Sequence, residues 1–199
     1  MTSRRRHIVL YVPGLGDNNP TGQSFAVNLW RFYGVRSWTV ALHWADQSET
    51  WEQKFNRLLV VIDEKLAEGH SVSLVGTSAG AGAVINAFAA RKGRISGVVT
   101  ICGKIHNPET IGDGYRRENP AFVESANEVP TALAGLGSGE RRRILSIYSL
   151  ADEIVPKRDS IIEGAANYQV WTPGHAITIA TQLILGAPLF LKFLKNRAK

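Results

Sequence analysis

Short, β-branched apolar runs alternate along this chain with longer segments of helical period, and this alternation restricts the fold more than any other feature. Turn residues bound each run, a pattern typical of a parallel sheet covered by helices on both faces. The sequence therefore predicts an α/β fold with a mostly parallel central sheet of about six strands. The predicted strands are His7–Val12, Trp38–His43, Val72–Val75, Ile95–Ile101, Ile144–Tyr148 and Tyr168–Trp171.

Two of the intervening segments predict helices that pack on this sheet. Apolar residues recur every three or four positions from Trp51 to Glu68, and Gly69 follows as a stop signal. A helix of very small residues is expected from Ala79 to Lys92. The segment 104–140 departs from the alternation because it holds three prolines and five glycines. We interpret it as a short cap-like excursion from a single domain that spans residues 1–199.

Length, cysteine content and charge narrow the class of protein. A chain of 199 residues can bury a core without disulfides. The lone cysteine, Cys102, lies in an apolar run, so we expect a reducing, cytoplasmic location. The net charge is +6, but seven of the 23 basic residues lie at the termini, and the remaining 16 face 17 acidic residues. The body is thus close to neutral, which argues against a nucleic-acid partner. The terminal basic residues are Arg4, Arg5, Arg6, Lys192, Lys195, Arg197 and Lys199.

The most hydrophobic stretch runs from Ala176 to Leu194 and ends in lysines. A membrane-spanning helix needs about 20 mostly apolar residues, whereas Gln182, Gly186 and Pro188 interrupt this stretch. The pattern favours a C-terminal helix packed on the core. Contact of this segment with a membrane surface is the alternative.

A Gly-x-Ser-x-Gly sequence stands where the third predicted strand gives way to a helix. Its fixed residues are Gly76, Ser78 and Gly80. A serine on such a turn presents its hydroxyl clear of the sheet, and the flanking glycines relieve crowding. The amide of Ala79 and the helix N-terminus can stabilise negative charge there. These features predict Ser78 as a nucleophile. An ordinary glycine-rich connection is the alternative, whereas a phosphate cradle would call for a Gly-Lys-Ser sequence that the turn lacks.

The order of these parts resembles the α/β-hydrolase fold family, in its lidless lipase and esterase branch, over nearly the whole chain. The resemblance implies an acid after a later strand and a histidine after the last one. Asp152 is the better acid than Glu153 because the family's motif has an aspartate three residues before a valine or isoleucine that precedes proline, as Asp152 stands before Val155 and Pro156. A helix cap is the structural alternative for Asp152.

His175 follows the last predicted strand and is the histidine that the resemblance implies as the catalytic base. A surface or capping role is its alternative. The other four histidines lie at strand ends or in other loops: His7, His43, His70 and His106.

The loop after the first strand, Pro13-Gly14-Leu15-Gly16-Asp17, resembles the family's His-Gly-x-Gly loop. It has proline where histidine is common, which removes a side chain that often braces the loop. The resemblance implies that the amides of Leu15 and Ala79 form the oxyanion hole. A plain strand-to-helix turn is the alternative.

Together these residues predict a serine hydrolase that cleaves a carboxylic ester of a small molecule through an acyl-enzyme intermediate. No metal-ligand spacing is present, so we expect neither metal nor cofactor. A thioesterase, acyltransferase or amidase would use the same triad, and a catalytically silent binding protein is a further alternative. We expect a small open site for short acyl chains or polar esters. Its expected lining is the excursion, the loop with Asn18, Asn19 and Pro20, and the aromatic residues Trp44, Tyr115 and Phe122.

Overall fold

The sheet of this protein has six strands, and every neighbouring pair is parallel. The structure is a computed structural model that describes residues 6–198, so Arg4, Arg5 and Lys199 lie outside the described residues. The strand order β2-β1-β3-β4-β5-β6 confirms the predicted parallel α/β architecture. The strands are β1 (His7–Val12), β2 (Arg36–Thr39), β3 (Ser71–Thr77), β4 (Ile95–Ile101), β5 (Ile144–Ala151) and β6 (Ala166–Pro173).

The second strand begins and ends earlier than predicted. It pairs with β1 only as far as Thr39, so the predicted strand Trp38–His43 is wrong over its last four residues, 40–43. Past that point the amides of Leu42, His43 and Trp44 donate hydrogen bonds to the carboxylate of Asp17, at 2.7, 2.6 and 3.1 Å. A buried carboxylate therefore binds these amides, and they do not extend the strand ladder.

The helices lie on both faces of the sheet and bury two separate apolar clusters. One cluster includes Leu58, Val84 and Val129 from α2, α3 and α5. The other includes Val27 and Leu183 from α1 and α8. The helices are α1 (Thr21–Asn28), α2 (Trp51–Ala67), α3 (Ala79–Ala90), α4 (Asp113–Glu118), α5 (Pro120–Ala134), α6 (Ser138–Arg141), α7 (Lys157–Ser160), α8 (His175–Ile184) and α9 (Ala187–Lys195).

The segment 104–140 is more regular than its composition predicts. Residues 120–134 of this segment form α5, which packs on α3. Asn86 of α3 donates a hydrogen bond to the carbonyl of Ser125 of α5 at 2.9 Å. Pro120 begins α5 and Pro130 lies within it. The buried apolar face of α5 nevertheless stabilises the helix against the sheet layer. This part of the excursion belongs to the helical layer of the sheet. The assignment of residues 1–199 to one domain stays a prediction.

The C-terminal apolar stretch forms two helices, not the single helix predicted over Ala176–Leu194. Helices α8 and α9 meet at an angle of 61°, with the break at Leu185 and Gly186 and with Pro188 in the first turn of α9. Proline is tolerated in a first helical turn but not in a helix interior, which explains the new start. Within residues 6–198 no single helix is long and apolar enough to span a membrane; α8 and α9 meet that criterion only as a bent pair.

Candidate active site

The candidate site residues all follow the carboxyl ends of strands. Leu15 follows β1, Ser78 follows β3, Asp152 follows β5 and His175 follows β6. The carboxyl ends of parallel strands meet at one edge of a sheet, which is where ligands bind in α/β folds.

Ser78 lies on a strained turn between β3 and α3. Its backbone angles are φ 50° and ψ −120°, in a region that residues with side chains seldom occupy. The neighbouring glycines make this turn sterically accessible: a Cβ at Gly76 would collide with the backbone of Gly80, and a Cβ at Gly80 with the backbone of Val12. The crowding that the motif predicted at these two glycines is therefore present. The amide of Ser78 is held by the carbonyl of Ile101 at 3.0 Å.

Asp152 and His175 form a hydrogen-bonded pair. His175 Nδ1 lies 2.8 Å from Oδ2 and 3.1 Å from Oδ1 of Asp152. Because an ionised carboxylate can only accept, Nδ1 carries the shared proton and Nε2 of the neutral ring is left as a base. Both side chains are buried, with 8% of His175 and 2% of Asp152 exposed.

The environment of Asp152 keeps its carboxyl ionised. Burial by itself would raise its pKa, but the hydrogen bond from His175 and those from the amides of Val155 and Ile154 outweigh this effect. The pKa of Asp152 is therefore held below its ordinary value. The hydrogen bonds from the amides of Val155 and Ile154 also form a turn that orients the carboxylate. Asp152 therefore caps this turn and binds His175 at the same time.

Glu153 has a different contact. Its carboxylate accepts a hydrogen bond from the backbone amide of His175 at 3.0 Å, at the N-terminus of α8. An acidic group is favoured at that helix end. Glu153 thus holds the backbone of His175, whereas Asp152 holds its ring.

The buried Cys102 lies beside this pair. One ligand-type atom each of Cys102, Asp152 and His175 falls within 4.8 Å of the other two. Burial, and then the nearby carboxylate of Asp152, raise the pKa of the Cys102 thiol, so the thiol stays protonated. All three are residue types that can bind a metal ion, and within residues 6–198 they lie together at this site. Nδ1 of His175, however, already shares its proton with Asp152, and this hydrogen bond accounts for the grouping.

The loop 13–17 is braced by contacts of Asp17 and Trp44. The buried carboxylate of Asp17 holds the backbone of the loop 42–44, and Trp44 Nε1 donates to the carbonyl of Pro13 at 3.1 Å. Gly14 lies so close to Ser78 that a Cβ there would be 2.8 Å from Cβ of Ser78. Tryptophan and aspartate therefore support the loop beside Ser78.

The two predicted oxyanion donors lie beside the same turn. Leu15 lines the cavity next to Ser78, and its amide donates no hydrogen bond to another described residue. Ala79 is the first residue of α3, where amides have no intrahelical acceptor. Their role as an oxyanion hole stays a prediction.

Ser78 and His175 open on one cavity of about 580 Å³. Within residues 6–198 no hydrogen bond joins their side chains, a contact that is often long before substrate binds. Of the aromatic residues expected at this site, Tyr115 and Phe122 line the cavity, whereas Trp44 is fully buried and stacked on Trp51.

The sequence interpretation missed much of the cavity lining. The expected loop residues Asn18, Asn19 and Pro20 are not part of it, and the first turns of α1 and one face of α8 are there in their place. The helical spacing of its apolar residues could have revealed the apolar face of α8. It could not have revealed that this face lines a cavity. The missed residues are Gly22, Gln23, Ala26, Ile154, Arg158, Ala176, Ile179, Ala180, Leu183 and Ile184.

The fold is similar to that of solved hydrolases. Est1E from Butyrivibrio proteoclasticus is 15% identical, with 98% of this chain and 89% of that chain covered and a TM-score of 0.71. A metagenomic carboxyl esterase is 17% identical over 98% and 77% of the chains, with a TM-score of 0.71. A monoacylglycerol lipase of Paleococcus ferrophilus is 15% identical over 96% and 94%, with a TM-score of 0.62. No family model and no curated protein matches the sequence. The chain has the α/β-hydrolase fold.

Proposed function

We propose that this protein is a serine hydrolase that cleaves carboxylic esters, with Ser78 as nucleophile, His175 as base and Asp152 as the residue that orients it. The observation that carries the proposal is the Asp152–His175 pair, whose histidine lines the same cavity as a serine held on a strained strand-to-helix turn. The proteins of similar structure include a carboxyl esterase and a monoacylglycerol lipase, which supports an ester over an amide as substrate.

The proposed mechanism has two acyl-transfer steps. Ser78 Oγ attacks the ester carbonyl while Nε2 of His175 takes its proton, and the ionised Asp152 stabilises the imidazolium that forms. The amides of Leu15 and Ala79 bind the oxygen of the tetrahedral intermediate, which collapses as His175 protonates the leaving alcohol. Water, deprotonated by His175, then attacks the acyl-enzyme and releases the acid with Ser78 restored.

The size of the cavity suits a small molecule. About 580 Å³ lies within the range of 300 to 1,000 Å³ that is usual for small-ligand sites. Most of the lining is apolar, with Ser78, His175 and a few other polar groups at defined places. This supports an ester of modest length as substrate.

Labelling by a fluorophosphonate probe, followed by peptide mapping, tests the proposal. We expect the wild-type protein to be modified at Ser78, and both Ser78→Ala and His175→Ala to lose the label while keeping their thermal unfolding transitions. Hydrolysis of butyl butyrate should fall by about 10³-fold or more in Ser78→Ala. A folded wild-type protein that stays unlabelled would favour a silent binding protein.

A further inference from the structure

The two sides of the cavity differ in chemistry. One wall is apolar and comes from α1 and α8, through Ala26, Ile179 and Leu183; Ala26 and Leu183 belong to the core on one face of the sheet. The other wall comes from residues 104–122 and α7, and its Ile111 and Phe122 belong to the core on the opposite face. Ser78 lies at the sheet edge between these two faces. The apolar wall from α1 and α8 is on one side of it, and the wall from residues 104–122 and α7 is on the other.

The second wall contains a buried lysine. Only 9% of the Lys104 side chain is exposed, and its Nζ donates to Oδ2 of Asp159 and to Oγ1 of Thr110, each at 2.5 Å. An ammonium group has three N–H donors, so one remains for a ligand. Lys104 follows β4, the strand next to that of Ser78, and lines the cavity with it.

An arginine lies next to this lysine. Arg158 also lines the cavity, 75% of its side chain is exposed, and its Nε is 3.8 Å from Oδ1 of the same Asp159. Asn107 donates its amide to that Oδ1 as well. The carboxylate of Asp159 is only 1% exposed and is enclosed by these donors. Two cations thus share one buried anion.

The charge balance of the cavity is positive. Among the described residues, no aspartate or glutamate lines the cavity, and Lys104 and Arg158 do. With Asp159 behind them, the group carries a net charge of +1. Asp152 is bound to His175, and Glu153 is held at the N-terminus of α8. A purely structural ion pair would account for Lys104 and Asp159 but not for the exposed Arg158 on the cavity wall.

We propose that the substrate is an ester with an anionic group, which binds between Lys104 and Arg158, while its apolar part lies against α8. This inference rests on the proposed function and names its substrate class. An arginine fork and an ammonium group together suit a carboxylate or a phosphate, since both accept several charge-assisted hydrogen bonds. A monoester of a short dicarboxylic acid is the simplest such substrate; its hydrolysis consumes one water and releases the diacid and the alcohol.

A matched pair of esters tests this specificity. Monobutyl succinate and butyl butyrate differ only in that a carboxylate replaces a methyl group. We expect the wild-type kcat/KM to be about tenfold or more higher for the succinate ester, because a charge-assisted hydrogen bond contributes about 1.5–3 kcal/mol. Added salt should lower this preference, since Arg158 is exposed.

Substitutions of Arg158 and Lys104 test whether these residues cause the preference for the succinate ester. Arg158→Met should lower the ratio of the two kcat/KM values about tenfold, whereas Lys157→Met, on the same helix but outside the cavity lining, should preserve it. Lys104→Met alone would leave Asp159 buried without its partner. The double variant Lys104→Met with Asp159→Asn removes both charges, and it should also lower the ratio.

Two further esters identify the anion and its place. Carboxymethyl butyrate carries the carboxylate on the alcohol side, and the butyl ester of 3-phosphonopropionate replaces it by a phosphonate. A preference for the first would assign the anionic site to the alcohol; a preference for the second would assign it to a phosphate-like group. Equal kcat/KM for all charged and neutral esters would overturn the proposal and leave the ester hydrolase function intact.

Binding to Ser78→Ala separates this proposal from catalysis. By calorimetry, N-butylsuccinamate should bind at least about tenfold more tightly than N-butylbutyramide, and the added change Arg158→Met should remove the difference. If neither ester is hydrolysed by the wild-type protein, the proposed function fails, and this measurement still decides on the anionic site. Equal binding of the two amides would refute it.

Discussion

Two adjacent carboxylates, Asp152 and Glu153, act on different parts of one histidine. Asp152 accepts the Nδ1 proton of the ring and has a buried side chain, whereas Glu153 accepts the backbone amide and is exposed. Only the first contact determines which ring nitrogen is free to act as a base. At the scale of single residues, the two carboxylates differ because one contacts the ring of His175 and the other its backbone amide. Their shared acidic chemistry does not distinguish them.

Asp152→Asn should therefore lower kcat far more than Glu153→Gln. An asparagine amide can donate to Nδ1 and leave the proton on Nε2, which abolishes the base; we expect a loss of about 10³- to 10⁴-fold. Glutamine keeps an oxygen that accepts the His175 amide, so Glu153→Gln serves as the matched control and should change kcat only a few-fold. Steady-state hydrolysis of butyl butyrate checks this. Similar losses in both variants would argue against Asp152 as the orienting acid.

At the scale of elements, the site depends on how β3, α3 and the loop after β1 approach one another. Gly80 lies against the backbone of Val12, and Gly14 against Ser78. The turn that strains Ser78 is thus held by contacts with β1 and the loop after it, which are more than 60 residues away in sequence. Asp17 and Trp44 then couple the loop after β1 to residues 42–44, beyond the end of β2.

A methyl group at Gly80 should disrupt this approach. Its Cβ would overlap the carbonyl oxygen of Val12, so we expect Gly80→Ala to lower the free energy of unfolding by about 3 kcal/mol or more. At Gly139, in α6, a Cβ would meet no atom within 4 Å. Gly139→Ala should stay within about 0.5 kcal/mol of the wild type. Urea denaturation measures both; an unaffected Gly80→Ala would show that the turn can move.

At the scale of the whole molecule, titration of the half-buried histidine His7 couples the stability of the sheet to pH. His7 begins β1, far along the strand from the candidate site, and its Nε2 is 2.9 Å from Oγ of Ser73 on the neighbouring strand. Burial, and then the nearby charge of Lys195, lower the pKa of His7 to about 4. Its Nδ1 is buried without a partner among the described residues.

The sign of this effect is set by the unfolded state. Unfolded His7 takes up a proton near pH 6.5, whereas the folded ring stays neutral down to about pH 4. The contribution of His7 is thus neutral above pH 6.5 and increasingly destabilising as the pH falls towards 4. Between pH 7 and pH 5 the wild type should lose on the order of 2 kcal/mol more unfolding free energy than His7→Gln. Equal losses in urea titrations at the two pH values would contradict this assignment.

Local sequence signals predicted the parallel architecture and Ser78, because apolar runs and the spacing of Gly76 and Gly80 are readable within a few residues. Asp152 and His175 came from the chain order that the resemblance to α/β hydrolases implies. The structure places these three residues at one sheet edge, with Asp152 bound to His175; the catalytic role of each stays a prediction.

The tertiary structure alone decided where β2 ends and what lines the cavity, whereas Gly186 and Pro188 mark the bend of the C-terminal stretch in the sequence. Thr39 ends β2 because Asp17, more than 20 residues away in sequence, binds the following amides. Lys104 and Arg158 share a wall because adjacent parallel strands bring their loops together at the same edge. The sequence by itself determined most of the elements, since those depend on local periodicity and turn chemistry. The candidate catalytic residues came from the Gly-x-Ser-x-Gly turn and from the resemblance to α/β hydrolases. The cavity and its charge arise from contacts between distant segments, which no local pattern encodes.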